Sequence, residues 1–264
     1  MNERTTPGPI ALVTDFGTRD YFVGALKGVI LSINRAARIV DVTHEIAPQD
    51  IRAAAFVLRA CYRDFPAGTI FTAVVDPGVG SERRAILVET PDYYFIAPDN
   101  GLLSFVFDET PECRVFELTN GKFFAARVSA TFHGRDVFAP VAAHLSNGVA
   151  PAEFGRAITD FVRFGETRPR PVSENEIEAE IVAADRFGNL VTNLKREDLP
   201  AKFRLRVGAA TIERLQNYYA ESAPGELFMI FGSAGFLEIV AFRASAKQLL
   251  QIDTGQKITV ETNL

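Results

Sequence analysis

Up to about residue 165, short apolar runs alternate with stretches in which apolar residues recur every three or four positions, and this alternation is what most restricts the fold. Parallel strands need long crossovers, usually helices, so the pattern predicts an α/β N-terminal domain with a mostly parallel sheet covered by helices on both faces. Residues 10–14 and 38–42 read as strands. Between them Phe22, Ala25, Leu26, Val29, Ile30 and Ile33 share one helical face, with Asp20 placed to cap the amino end. A second helix starts at Asp50 and carries Ile51, Ala54, Ala55, Leu58, Cys61, Tyr62 and Phe65 on one stripe until Pro66 and Gly68 stop it. The run 70–75 follows as a buried strand, and 85–89 and 93–97 read as a hairpin through Thr90, Pro91 and Asp92. Asp136 is a candidate cap for a helix reaching Asn147 and Gly148.

Near residue 167 the pattern changes. Arg168-Pro169-Arg170-Pro171 interrupts it, and short β-rich runs then follow without long helices, at 177–184, 190–192, 203–207, 227–231, 236–241 and 258–260. The expected organisation is the α/β domain over 1–167 and a smaller all-β, barrel-like C-terminal domain over 174–264. With 47% hydrophobic residues among 264, the chain can fill both cores. A net charge of −5, with Lys and Arg scattered, argues against nucleic acid and anionic membrane as partners. Residues 1–9 are polar, and no apolar run approaches the ~18 residues of a membrane span, so a cytoplasmic location is expected. Cys61 and Cys113 lack CxxC spacing and read as free thiols, with Cys61 buried on its helix.

Scarce polar chemistry sits where strands end. Pro77, Gly78 and Gly80 turn the chain sharply after 70–75 and leave Asp76 at a strand's carboxyl end, where open α/β sheets bind ligands. Asp15 ends the first strand in the same way, and its carboxylate could grip a vicinal diol through both oxygens or simply form a capping Asx turn. Asp15-Phe16-Gly17 is also a kinase tripeptide, but the Gly-rich and catalytic loops are missing in the required order. His133 follows Phe132, a possible apolar wall, and precedes Gly134, which permits close approach of a ligand to the backbone. Arg83 and Arg84 are each either ligand-facing or solvated hairpin charges, and Arg135-Asp136 reads as a local ion pair. His44 and His144 carry less signal, and no HExxH or comparable spacing assigns a metal site. In the second half, Asp185-Arg186-Phe187-Gly188-Asn189 is either a plain hairpin turn or a site in which Phe187 stacks and Asn189 donates to and accepts from an adenine edge. The turn from Phe231 to Glu238 offers free amides with Ser233 and Glu238, suited to an amino-acid head group or to turning alone.

Taken in order, TDFGTRDYFVG (14–24), VDVTHEIAPQDI (40–51), VDPGVGSERR (75–84), PDNGLL (98–103), FHGRDVFAP (132–140), DRFGNLVTN (185–193) and GFLEI (235–239) resemble the S-adenosylmethionine hydrolase family, the hydroxide adenosyltransferases related to fluorinase and chlorinase. The resemblance spans nearly the whole chain. It implies hydrolysis of S-adenosyl-L-methionine to adenosine and L-methionine without a cofactor or metal. It further implies a homotrimer, with substrate between the N-terminal domain of one subunit and the C-terminal domain of the next. Asp76, Arg83 and His133 match the water-activating set, the seven-residue step from Asp76 selecting Arg83 over Arg84. Asp15 matches the ribose-gripping residue and Asp20 an acidic residue near the methionine moiety, while Asn189 and Phe187 match the adenine side. Gly134, Asp185, Ser233 and Glu238 fall among substrate-lining positions, with backbone groups near Ala241 and Arg243 beside the adenine.

Phe242 and Ala244 stand where the family pattern has Asn and Gly, and Ala234 replaces a larger residue. Fluorinase-like members have Tyr in place of the Asp, lack the His and carry an added loop. This chain keeps Asp76 and His133, with no spare segment between Arg84 and His133 for that loop, which favours hydroxide over halide. A halogenase, a noncatalytic adenosine or S-adenosylmethionine binding module, and a metal phosphohydrolase using His44, His133 and aspartates are the competing readings.

Overall fold

A computed structural model describes residues 8–164 and 168–262. Residues 1–7 and Thr167, where the sequence reading ends the first domain, lie outside the described residues. The chain divides into two compact units, Met1–Phe164 and Gly165–Leu264.

The first unit runs β1 (Ile10–Thr14), α1 (Phe22–Ile33), β2 (Ile39–Thr43), α2 (Ile51–Cys61), β3 (Ile70–Val74), β4 (Ala85–Glu89), β5 (Tyr94–Pro98), α3 (Ser104–Glu109), β6 (Arg114–Glu117), a π-helical turn Gly134–Phe138 leading into α4 (Ala139–Ser146), and β7 (Ala157–Ile158). The sheet order is β2-β1-β3-β5-β4-β6-β7. Strands β2, β1, β3 and β5 are mutually parallel, whereas β4, β6 and β7 extend the sheet antiparallel. The sheet is therefore mixed rather than mostly parallel. The reason is local: the Thr90 amide donates to the Tyr93 carbonyl at 2.9 Å, closing a turn far too short for a parallel crossover. Alternate residues of β1 and β3 enter two cores. Ile10 and Leu12 pack with Leu26 and Ile30 of α1 and Val141 of α4, while Ala11, Val13 and Phe71 pack with Ala54 and Leu58 of α2 and Phe105 of α3.

Helix starts depart from the expected caps in two of three cases. Asp50 does cap α2, its Oδ1 accepting from the Ala53 amide at 2.9 Å. Asp50→Ala should lower stability by about 1 kcal/mol, read as a melting-temperature drop of about 2–4 °C for a chain of this size. Asp20 does not cap α1. Tyr21 holds the cap position with helical torsions, φ −74° and ψ −8°, so Asp20 is one residue too early and is exposed. Asp136 lies inside the π-helical turn, where its buried carboxylate accepts from the Ser129 amide at 2.8 Å and pairs with Arg135 at 2.7 Å. It fastens the preceding loop instead of opening a helix.

The second unit contains β8 (Arg170–Ser173), β9 (Glu176–Ala184), β10 (Leu190–Lys195), β11 (Arg204–Val207), β12 (Ala210–Ile212), β13 (Leu227–Phe231), β14 (Phe236–Ala241), α5 (Ala246–Leu250) and β15 (Lys257–Glu261). All pairings between these strands are antiparallel, in the order β12-β11-β15-β9-β10-β14-β13, with β8 added on β9. Beyond β12 the chain returns to β13: the Gln216 amide donates to the Met229 carbonyl at 2.9 Å and the Met229 amide to the Arg214 carbonyl at 2.8 Å. The sheet thereby nearly closes around Ile181, Leu190, Leu205, Met229, Leu237 and Val260. Residues 170–173, at the end of the Pro-interrupted stretch, form an exposed edge strand, where Pro171 lacks only a hydrogen bond that an edge does not need.

Candidate active site

The first unit places its chemistry by topology. From β1 the chain crosses through α1 to β2 on one side, and from β2 through α2 to β3 on the other, so the strand order reverses between β1 and β3. A crevice at such a reversal, outside the carboxyl ends of the strands, is where open α/β sheets bind ligands. Thr14 pairs in register with Val74, which brings Asp15 and Asp76 to neighbouring strand ends. The last β3-side carbonyl, that of Val75, is held by Asn100 Nδ2 at 2.9 Å. Asn100 is a bracing residue that PDNGLL contained but composition did not single out.

Arg83 joins the two polar segments. Its Nε donates to Asp76 Oδ1 and Oδ2 at 2.9 Å each, and Nη2 also bonds to Oδ2. The same Nη2 lies 2.7 Å from His133 Nδ1. Side chains of Asp76 and Arg83 are only 5% and 11% exposed, so this ion pair is shielded from water. Arg84 serves elsewhere, donating to Asp99 at 2.9 Å and to Asp160 at 2.8 Å. Of the two arginines, Arg83 is the one that meets both Asp76 and His133.

The contact with Arg83 dictates the state of His133. A guanidinium only donates, so Nδ1 must accept, and the single ring proton resides on Nε2. Burial holds the His133 pKa below the usual histidine value, and the adjacent Arg83 charge adds to this, outweighing the opposing Asp76 and Asp136. Phe132 packs edge-on against Phe16 and Phe22, with centroids at 5.8 and 5.1 Å. Gly134 is buried, and a Cβ there would come within 3.2 Å of Phe16 and 3.3 Å of Phe132. Asp15 makes no Asx turn of its own; Oδ2 accepts from the Gln49 amide at 2.8 Å. His44 is buried behind this loop with Nδ1 2.8 Å from Thr14 Oγ1, and His144 packs on Phe123 in α4.

The remaining candidates belong to the second unit. Asp185 Oδ1 accepts from the Phe187 and Asn189 amides at 2.8 Å each, and Oδ2 accepts from Asn189 Nδ2 at 2.8 Å. This locks the Asn189 side chain, leaving Oδ1 and one N–H to a ligand. Gly188 adopts φ +82° so that the loop can lie against Ser245, where a Cβ would approach within 2.0 Å of Oγ. Phe187 is 78% exposed, an unusual position for a phenylalanine and a flat surface for stacking. Glu238 folds over Gly232, and burial followed by the Asp185 charge pushes its carboxyl pKa up. Ser233 occupies the turn between β13 and β14, Ala241 ends β14, and Arg243 follows with φ +54°. Cys61 and Cys113 are free and half-buried. Among the described residues no group of three or more His, Cys, Asp or Glu is arranged to hold a metal ion, and no helix is long and apolar enough to cross a membrane.

Residues 10–155 match the family described as SAM hydroxide adenosyltransferase N-terminal domain, and residues 179–259 match SAM hydroxide adenosyltransferase C-terminal domain. A Methanocaldococcus jannaschii protein named (R)-S-adenosyl-L-methionine hydrolase is 35% identical over 269 residues, covering 95% of each chain. A fluorinase of Actinoplanes sp. is 34% identical over 216 residues, 72% of each chain. The crystal structure of an uncharacterized conserved protein from Thermotoga maritima superposes with a TM-score of 0.87 at 37% identity, covering 95% of this chain and 99% of that one.

Proposed function

The chain belongs to the SAM hydroxide adenosyltransferase family, and from that premise we propose that it hydrolyses S-adenosyl-L-methionine to adenosine and L-methionine at a site containing Asp76, Arg83 and His133. The observation that carries the assignment of residues is the Arg83 fork between Asp76 and His133 beside the strand-order reversal. Water attacks ribose C5′ in line with the sulfonium, a C–O bond forms, and the C–S electron pair leaves on sulfur as a neutral thioether. The leaving group therefore needs no acid. Only the proton of the attacking water needs an acceptor, and it becomes strongly acidic as the C–O bond forms, so a weak base suffices. His133 cannot take it, because Nδ1 is occupied and Nε2 already carries hydrogen. Nε2–H instead donates to the water oxygen and orients it, while Asp76, with lone pairs beyond those Arg83 uses, is the acceptor. Arg83 fixes the orientation of that carboxylate.

Asp15 takes the ribose hydroxyls, Asp20 and Glu238 lie toward the methionine end with Ser233, and Asn189 with Phe187 holds the adenine. The name of the archaeal relative specifies the (R) sulfonium epimer, and the same preference is part of this reading, as are a homotrimer with sites shared between subunits and a cytoplasmic location. The test is incubation with each sulfonium epimer in chloride- and fluoride-containing buffer with chelator, beside His133→Ala, with light scattering for the oligomer. Adenosine plus methionine, lost in the variant, supports the hydrolase. A halogenated adenosine would transfer the chain to the halogenase branch, intact substrate would leave a binding module, and intact substrate together with chelator-sensitive hydrolysis of a phosphate ester would favour a metal phosphohydrolase.

The pH profile follows from the depressed His133 pKa. Protonation at Nδ1 would turn the Arg83 contact into a repulsion, so turnover requires neutral His133. With its pKa below the ordinary 6.5, the midpoint of the acid fall in kcat should lie below 6.5. The linked stability has the same sign: it is present above 6.5 and lost as pH falls through the lower folded value. An acid limb centred at or above 6.5 that disappears in His133→Asn would contradict this.

A further inference from the structure

Gln49 has a left-handed backbone, with φ +67°, although its side chain is exposed. Non-glycine residues seldom adopt this conformation, and they hold it where the surroundings over-determine it. Side-chain burial does not account for it here. What the conformation supplies is a direction for the main-chain amide, which donates to Asp15 Oδ2 at 2.8 Å. The strand-end loop and the segment leading to Gln49 are fastened together at further points: the Gly17 amide donates to the His44 carbonyl at 2.7 Å, the Ile46 amide to the Thr14 carbonyl at 3.4 Å, and Thr18 Oγ1 to Glu45 Oε1 at 3.0 Å. On the far side Asp50 anchors the chain into α2. Gln49 is thus held between two fixed points with its N–H aimed at one oxygen of the carboxylate. A carboxylate offers about four acceptor positions. One taken on Oδ2 fixes the plane of the group and leaves Oδ1 and the rest of Oδ2 for two adjacent hydroxyls.

We infer that Gln49 is a positioning residue whose main-chain amide sets Asp15 for a cis-diol, so that ribose is distinguished from 2′-deoxyribose through a strained backbone and not through the Gln49 side chain. This rests on the proposed nucleoside site at Asp15. The test measures adenosine and 2′-deoxyadenosine affinities by titration calorimetry in the full-length protein, with circular dichroism as the check on folding. Wild type should prefer adenosine at least tenfold. Gln49→Gly, which keeps the amide and accepts positive φ freely, should retain that preference. Gln49→Pro, which lacks the N–H and has φ near −65°, should lose most of it. If the Pro variant fails to fold, Gln49→Val serves, since a β-branched residue is driven out of the left-handed region. A natively folded Pro or Val variant with the wild-type preference would overturn the inference, as would a Gly variant that loses it. Absence of S-adenosyl-L-methionine turnover with the adenosine preference intact would sink the hydrolase reading while supporting this one. A wild-type protein indifferent to the 2′-hydroxyl would overturn the inference together with the role of Asp15.

Discussion

Asp76→Asn should lower kcat by about 10²–10⁴, the range over which a positioned general base contributes, with adenosine affinity changed by no more than a few-fold. The substitution keeps the shape of the side chain and one acceptor oxygen for Arg83, but it removes the carboxylate proposed to take the water proton. Asn is the informative choice because Arg83 is only 11% exposed. Either substitution removes the counterion of that shielded guanidinium, a loss that costs about 3–5 kcal/mol when a buried pair is broken, but Asp76→Ala also removes its hydrogen-bond acceptor. A loss of turnover in the Ala variant could then be a loss of fold. Single-turnover rates and adenosine titration on Asp76→Asn separate the two, and wild-type turnover in that variant would remove Asp76 from the mechanism.

The prediction depends on three residues that sequence spacing could only propose as a group. The elements around them were legible because the signal was local: β1 carries an unbroken apolar run, and the stripe from Ile51 to Leu58 follows a good cap at Asp50. The mixed sheet was half legible. The hairpin of β4 and β5 shows in its turn residues, but β6 and β7 are short strands whose pairing partners lie far along the chain. Caps misled where tertiary bonds outbid local ones, as when Asp136 is drawn to the Ser129 amide. At the site, Asp76 and Asp15 announce themselves by ending apolar strands. The state of His133 does not, since it is set by a guanidinium fifty residues away along the chain. Gln49 gives no sequence signal at all, because its contribution is a main-chain torsion angle in a residue type seldom associated with it.

Main-chain geometry also underlies the second large effect, expected for Gly80→Ala. Gly80 adopts φ +79°, and a Cβ there would lie 2.1 Å from the Ala130 carbonyl oxygen, a backbone atom that no rotamer change can move aside. The position matters because it is where the two halves of the proposed water-activating set touch. The turn from Asp76 to Ser81 is closed by the Val79 amide on the Asp76 carbonyl at 3.2 Å and by Ser81 Oγ on the Gly78 carbonyl at 2.7 Å, and it delivers both Asp76 and Arg83. The opposing segment is anchored by the Ser129 amide on Asp136 and delivers His133. Relieving the clash must push one segment from the other and lengthen the 2.7 Å contact between Arg83 and His133. Forced overpacking costs about 1–3 kcal/mol, and a displacement near 1 Å at a reacting group costs about 10² in rate. The expected result is a folded protein with a lowered melting temperature, kcat reduced about 10²-fold and adenosine affinity reduced far less. Gly24→Ala in α1, where a Cβ meets nothing within 4 Å, is the control: it should leave turnover unchanged and raise stability by up to about 1 kcal/mol. Equal turnover in Gly80→Ala and Gly24→Ala would show that the contact of the two segments does not set the geometry of the reacting water.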